Sequence, residues 1–289
     1  MKVYLDCLPC FFRQALDAAR RATGDERVQR AVLDRVASAV PSFPLAATPI
    51  DVGREVYRIV RQVTGVDDPY RETKRADNER VVALLPRLRE TVDRSPDPLR
   101  AALTLAAAGN LIDFGARQEV DLDHAIERGL EDGAGMVDYP QLLARLASVD
   151  EVLYLGDNAG EIVLDRLVVE RLVGLGKRVT FVVRGRPIIN DATVEDAAFV
   201  GMDDVADVVS SGSDGPGTAL RSCRPAFVDA FRRADLILSK GQGNFEGLSD
   251  EAAPLFFLLT VKCPVVAREL GAEIGATVLR AREGLTKRS

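Results

Sequence analysis

With 289 residues, 47% hydrophobic and 28% charged, the chain is globular in composition and long enough for two units. A net charge of −6, with both signs mixed and no basic block, argues against a nucleic-acid partner, although a metal or a few placed cations can still build an anion site. The single histidine, His124, excludes sites built on two or three histidines, so chemistry must run on carboxylates, amides, Lys, Arg or an oxygen-held metal.

From the N-terminus, Asp6 interrupts and Arg13 ends any apolar run of signal-peptide type. The longest apolar run elsewhere, Pro254 to Val261, is too short to span a bilayer, so the expectation is a cytoplasmic protein without a membrane partner. Residues 1–148 read as a helical domain. Phe11, Phe12, Ala15, Leu16 and Ala19 recur at spacings of three and four, as do Val28, Ala31, Val32 and Val36. Loops are expected at Pro41–Pro44, Asp67–Pro69 and Ser95–Pro98. Helices follow from about Asp51, Glu72 and Pro98, and a fifth near Asp121.

Residues 149–289 have another texture. Strands are expected at Val152–Leu155, Arg178–Val183, Val208–Val209, Leu236–Leu238 and Val265–Val266. Helices are expected over Glu161–Leu175, Val194–Val200, Ala219–Arg233 and Glu251–Val261. That alternation predicts an α/β unit: an open, mostly parallel sheet with helices on both faces.

In such sheets ligands gather beyond the carboxyl ends of the strands. Asp157-Asn158-Ala159-Gly160-Glu161 follows the first strand, Arg184-Gly185-Arg186-Pro187 and Asn190-Asp191 the second, and Ser210 to Thr218 the third. Ser239-Lys240-Gly241-Gln242-Gly243-Asn244-Phe245-Glu246 ends the fourth. Each segment alone is a plausible helix cap or tight turn, but four consecutive strand ends with acids, amides, hydroxyls and glycines point to a site. Asp157, Asn158 and Asp191 offer two carboxylates and an amide oxygen, hard ligands suited to Mg²⁺ or Mn²⁺. Phosphate charge could be met by Lys240, Arg184 and the glycines of the third and fourth loops. Six lysines stand against 32 arginines, so Lys240 is not the default cation of this chain.

In order along nearly the whole chain, these segments resemble the damage-control phosphatase family, formerly a domain of unknown function. The resemblance rests on Asp157-Asn158-Ala159-Gly160-Glu161, Arg184-Gly185-x-Pro187-x-x-Asn190-Asp191-Ala192-Thr193 and Lys240 to Glu246. Earlier in the chain it includes Cys7-x-x-Cys10, Pro69-Tyr70-x-x-x-Lys74 and Gly109-Asn110-x-Ile112-Asp113. The leading CxxC is similar to that of the prokaryotic branch. The resemblance implies a helical domain on a Rossmann-like α/β domain and metal-dependent hydrolysis of phosphomonoesters such as sugar phosphates or damaged phosphometabolites, with Mn²⁺, Co²⁺, Ni²⁺ or Mg²⁺. It carries the metal ligands onto Asp157, Asn158 and Asp191, and the phosphate-binding lysine onto Lys240. Arg184, Ser211, Gly243, Asn244, Asn110 and Asp113 are then expected around the substrate. Asp157 or Asp191 could act as base or nucleophile, and the sequence leaves this open.

The alternative is a non-catalytic protein that binds a phosphorylated metabolite in the same cleft. A haloacid-dehalogenase-type site is disfavoured, because Asp157-Asn158-Ala159 is not Asp-x-Asp. Cys7 and Cys10 can bind a metal or cycle redox state, but no second CxxC completes a zinc site. Arg71 and Lys74 are further candidates to reach the cleft, whereas His124 reads as a surface residue at a helix start.

Overall fold

The computed structural model describes residues 1–109 and 135–284. Its front part consists of α1 (Cys7–Ala22), α2 (Glu26–Ala39), α3 (Pro49–Thr64), α4 (Arg71–Arg94) and α5 (Pro98–Ala108). Local chemistry sets their ends. Thr48 and Asp51 form a capping box with Pro49 at the first helical position, and Asp97 accepts from the Arg100 N–H before α5. The expected helix near Asp121 lies outside the described residues, as do His124, Asn110 and Asp113.

After α6 (Tyr139–Leu146) comes the sheet: β1 (Glu151–Leu155), β2 (Arg178–Val183), β3 (Asp207–Ser210), β4 (Ile237–Lys240), β5 (Leu255–Thr260) and β6 (Thr277–Ala281). The order is β3-β2-β1-β4-β5-β6; all neighbours are parallel except β6, which runs antiparallel to β5. The intervening helices are α7 (Glu161–Gly174), α8 (Val194–Phe199), α9 (Pro225–Arg233), α10 (Gln242–Leu248) and α11 (Pro264–Leu270).

Side-chain alternation along the strands splits the interior into two layers. Tyr154, Phe181, Leu238, Phe256 and Leu258 pack with Leu85 and Leu88 of α4, Leu103 of α5 and Ile162, Leu164 and Leu167 of α7. Leu153, Leu155, Val182, Ile237 and Phe257 face α9, α10 and α11 through Phe231, Phe245 and Val266. A third apolar cluster belongs to α1, α2 and α3, with Tyr70 and Ile188 joining it.

The mixed α/β architecture and mostly parallel sheet are as expected, but the end of the chain differs. Glu251–Val261, read as a helix, contains β5, and Val265–Val266, read as a strand, lies in α11. Leu255–Thr260 is buried at every position, so it has no alternation to distinguish it from a buried helix. Pro264 supplies the fixed φ of a first helical residue, which starts α11. The antiparallel β6 had no counterpart in the sequence reading, and Ala219–Arg233 is helical in full only from Pro225. Among the described residues no helix is long and apolar enough to cross a membrane.

Candidate functional site

The strand order puts β1 beside β4 at the centre, where the chain direction of winding reverses, and the crevice beyond their carboxyl ends is the natural ligand position. Asp157 and Asn158 follow β1. Gly160, at φ 78°, turns that loop into α7. Asn158 and Asp191 form an isolated antiparallel bridge, and the Ala159 and Ala192 N–H groups donate to the carbonyls of Asn190 and Asp157, both at 2.8 Å. The two segments that carry the expected metal ligands are therefore zipped together by backbone.

Arg184, directly after β2, is 1% exposed and fully engaged. Its Nε donates to Asp191 Oδ2 at 2.6 Å, Nη1 to Thr218 Oγ1 at 3.1 Å and Nη2 to Asn244 Oδ1 at 3.0 Å, with Asp157 Oδ1 at 3.6 Å from Nη2. Lys240, at the end of β4, is equally buried. Its ammonium lies 3.3 Å from Glu161 Oε2 and 3.1 Å from Asp165 Oδ1, both on α7. Against the cost of burial, Asp165 and Glu161 hold the Lys240 pKa above its ordinary value. Asn158 Nδ2 faces Glu161 Oε1 at 2.6 Å and Asp157 Oδ2 at 3.2 Å.

Burial first, then the Asp191 and Glu161 charges, push the Asp157 carboxyl up to about 8; Lys262 and Arg184 partly oppose this. Asp191 is also raised by burial, against the pull of Arg184. Gly241 has φ 82°, and any side chain there would run into the Asp157 carboxylate, so the end of β4 and the loop after β1 approach to glycine distance.

The remaining expected substrate residues are placed less openly. Ser211 and Asn244 are fully buried. Asn244 donates to the Gly156 and Lys240 carbonyls at 3.0 and 2.7 Å, and Ser211 Oγ accepts from the Ser213 N–H at 3.3 Å. Gly243 lies in the first turn of α10 against Pro216 and Gly217. Lys74 is buried between Asp68 at 3.2 Å and Asp196 at 3.3 Å.

Several residues at the site were not singled out from sequence. Glu161 and Asp165 form the seat of Lys240, and their i, i+4 spacing on α7 was the available signal. Asn78 of α4 bridges to Gly160 and Asp196. Lys262, just past β5, is exposed, has its backbone N–H on Gln242 Oε1 at 2.9 Å, and acts electrostatically on both Asp157 and Asp191. Its ammonium forms no ion pair among the described residues.

Beside this crevice a cavity of about 580 Å³ is lined by polar groups of α1 and α4, among them Arg13, Gln14, Asp17, Arg21 and Asp77. Asn190, the residue before Asp191, also lines it.

The donor set suits a hard divalent cation. Asp157, Glu161, Asp165 and Asp191 are four buried carboxyl groups facing two buried cations, Arg184 and Lys240, and the upward shifts at Asp157, Asp165 and Asp191 show that this burial resists their ionisation. Among the described residues no three His, Cys, Asp or Glu side chains converge on a metal position.

The pattern of the damage-control phosphatase ARMT1-like domain matches residues 3–278. An uncharacterised protein of Methanocaldococcus jannaschii is 34% identical, with 98% of this chain and 96% of the relative covered. A protein named damage-control phosphatase from Archaeoglobus fulgidus is 33% identical over 98% of this chain and all of its own length. One so named from Pyrococcus horikoshii is 34% identical, covering 96% and 97%. The crystal structure of a DUF89 family protein from Pyrococcus horikoshii matches with a TM-score of 0.89 at 32% identity, covering 98% of this chain and 99% of that one.

Proposed function

We propose, on the footing that this chain belongs to the damage-control phosphatase ARMT1-like family, that it is a metal-dependent hydrolase of small phosphomonoesters acting at Asp157, Asn158 and Asp191. The observation that carries this reading is the cluster of four buried carboxyl groups against two buried cations at the switch point of the sheet. Ionising these buried carboxyl groups without a counter-charge is costly, and a divalent cation would offset that cost. Asp157, Asn158 and Asp191 would hold the ion, with Mn²⁺, Co²⁺, Ni²⁺ and Mg²⁺ as candidates. Bound there, it would polarise a phosphoryl oxygen and lower the pKa of a coordinated water.

The chain's own residues divide the remaining work. Arg184 holds Asp191 in place through Nε and spends its other nitrogens on Thr218 and Asn244. Lys240 braces Glu161 and Asp165 from below, so in this reading it positions the site. The exposed ammonium of Lys262 is the cation that can swing to an arriving phosphate. The polar cavity beside Asn190 takes the esterified group, and its charged and hydroxyl-bearing lining suits a sugar or similarly hydroxylated metabolite.

The test is hydrolysis of p-nitrophenyl phosphate by metal-stripped protein with each of the four metals restored in turn. Turnover restored by a divalent ion and abolished by Asp157→Ala supports the reading. Folded protein that binds inorganic phosphate but turns nothing over with any metal would instead make this a phosphometabolite-binding protein.

A further inference from the structure

We propose that Cys7 and Cys10 are a redox-active dithiol, oxidised to a disulfide by exchange with a disulfide co-reactant, and that Gln14 transmits its state to the cavity wall. The dithiol itself is independent of the phosphatase reading; its effect on turnover rests on that reading.

Both cysteines lie in the first turn of α1, three residues apart and therefore on one face. Pro9 between them costs no helical hydrogen bond, because the first turn has none to lose. Both thiols are free and partly exposed. The pair is not half of a zinc site: among the described residues no third Cys, His or carboxylate joins it in metal-binding geometry. Cys223 is a different case, with its S–H on the Ala219 carbonyl at 3.3 Å and burial pushing its pKa up to about 11.

The neighbours of the pair link it to the cavity. Gln14 Nε2 donates to Cys10 Sγ at 3.4 Å, and Gln14 lines the cavity. Cys263 lies within electrostatic reach of Cys7 and receives Gln242 Nε2 at 3.7 Å; the oxygen of the same amide holds the Lys262 N–H.

Burial raises the Cys7 thiol, so the entering sulfur is Cys10, which receives the Gln14 amide. Cys10 gives up its proton to solvent and attacks one sulfur of the co-reactant R–S–S–R. The S–S bond breaks, RS⁻ leaves and a mixed disulfide forms. Cys7, deprotonated in turn, attacks Cys10 sulfur and expels the second RS⁻, which, like the first, takes up a proton. Two protein thiols are oxidised and one disulfide is reduced to two thiols. Closing the bond draws Cys10 Sγ towards Cys7 and releases Gln14 into the cavity.

The experiment equilibrates the full-length, Mn²⁺-loaded protein in glutathione mixtures from fully reduced to fully oxidised, followed by alkylation, intact mass and peptide mapping. Wild type and Cys263→Ser are expected to take up two fewer alkyl groups after oxidation, with Cys7 linked to Cys10, while Cys7→Ser and Cys10→Ser form no such link. Absence of that linkage in the oxidising mixtures, or a bridge to Cys263 in its place, overturns the dithiol. For the coupling, affinity for inorganic phosphate and KM for p-nitrophenyl phosphate are compared between the two states. A change of about fivefold or more that disappears in Gln14→Ala is expected, and identical values in both states overturn it. A bridged protein whose phosphate affinity shifts but which never turns over would count against the phosphatase reading alone.

Discussion

The side-chain oxygen of Asn78 on α4 accepts a hydrogen bond from the Gly160 N–H at 2.6 Å, joining the helical front of the chain to the loop after β1. The same amide donates to Asp196 Oδ1 at 3.0 Å, and Asp196 caps α8 through the Thr193 N–H and hydroxyl at 2.9 and 2.8 Å. One buried side chain thus sets the spacing between the segments that carry Asp157–Asn158 and Asp191. Asn78→Ala leaves a buried N–H unmet and should cost about 1–3 kcal/mol of stability. We expect a lower Tm together with at least a tenfold fall in kcat/KM at saturating Mn²⁺. Wild-type kcat/KM in this variant would show that the bridge does not position the site.

Gly241 offers a sharper test of the crevice. Alanine there meets two obstacles at once, the left-handed φ of 82° and the Asp157 carboxylate. Gly241→Ala should abolish turnover, because the new methyl group displaces Asp157. Gly176→Ala is the control: its φ is 78°, but no atom lies near the added carbon. That variant should pay only the backbone strain, about 1 kcal/mol, and keep its activity.

Lys262 separates charge from structure. It is exposed, and among the described residues it hydrogen-bonds through its backbone N–H alone, so Lys262→Ala should leave Tm unchanged. In the phosphatase reading KM for p-nitrophenyl phosphate rises about tenfold and Lys262→Arg restores part of the loss. Unchanged KM would remove Lys262 from the site.

Asp165 gives the stability of the fold a pH dependence. Burial raises its pKa to about 6 from 3.8, with Lys240 opposing, and its Oδ2 has no partner while Oδ1 receives the Tyr154 hydroxyl at 2.8 Å. The folded state therefore binds this proton more tightly than the unfolded chain. Its contribution is fully present below the unfolded value and is lost as pH rises through the folded value. Urea midpoints of wild type minus Asp165→Asn should fall between pH 3.8 and about 6 and stay level above. A flat difference across that window would contradict the assignment.

The architecture was readable where strands alternate with helices, and the first four strand ends were found from their β-branched runs. β5 escaped because both of its faces are buried, and with it went Lys262, although lysine is rare in this chain. Lys240 was expected to face a phosphate; that its ammonium lies against Glu161 and Asp165 depends on α7 docking beside β4, which the sequence around Lys240 does not show. Nothing in the sequence around Asn78 marks it as different from a surface asparagine, since its role exists only once α4 has docked against the loop. Ser211 follows β3 and Asn244 lies in the first turn of α10 after β4, and their side chains bond to the Ser213 N–H and to the Gly156 and Lys240 carbonyls, contacts that the sequence alone does not show.

The three apolar clusters also determine which movements are cheap. α4 and α5 share an interior with α7 and the sheet, so prying them away would wet Leu85, Leu88, Leu103 and Ile162 together. α1, α2 and α3 have an interior of their own. A tilt of that three-helix layer would widen the cavity wall formed by Arg13, Gln14 and Asp17 at the cost of the Tyr70–Asp17 and Arg21–Thr73 hydrogen bonds, at 2.6 and 2.9 Å, while Asn78 keeps its grip on Gly160. In the phosphatase reading, admitting a ligand through that wall would part those two hydrogen bonds and leave the sheet-side floor in place.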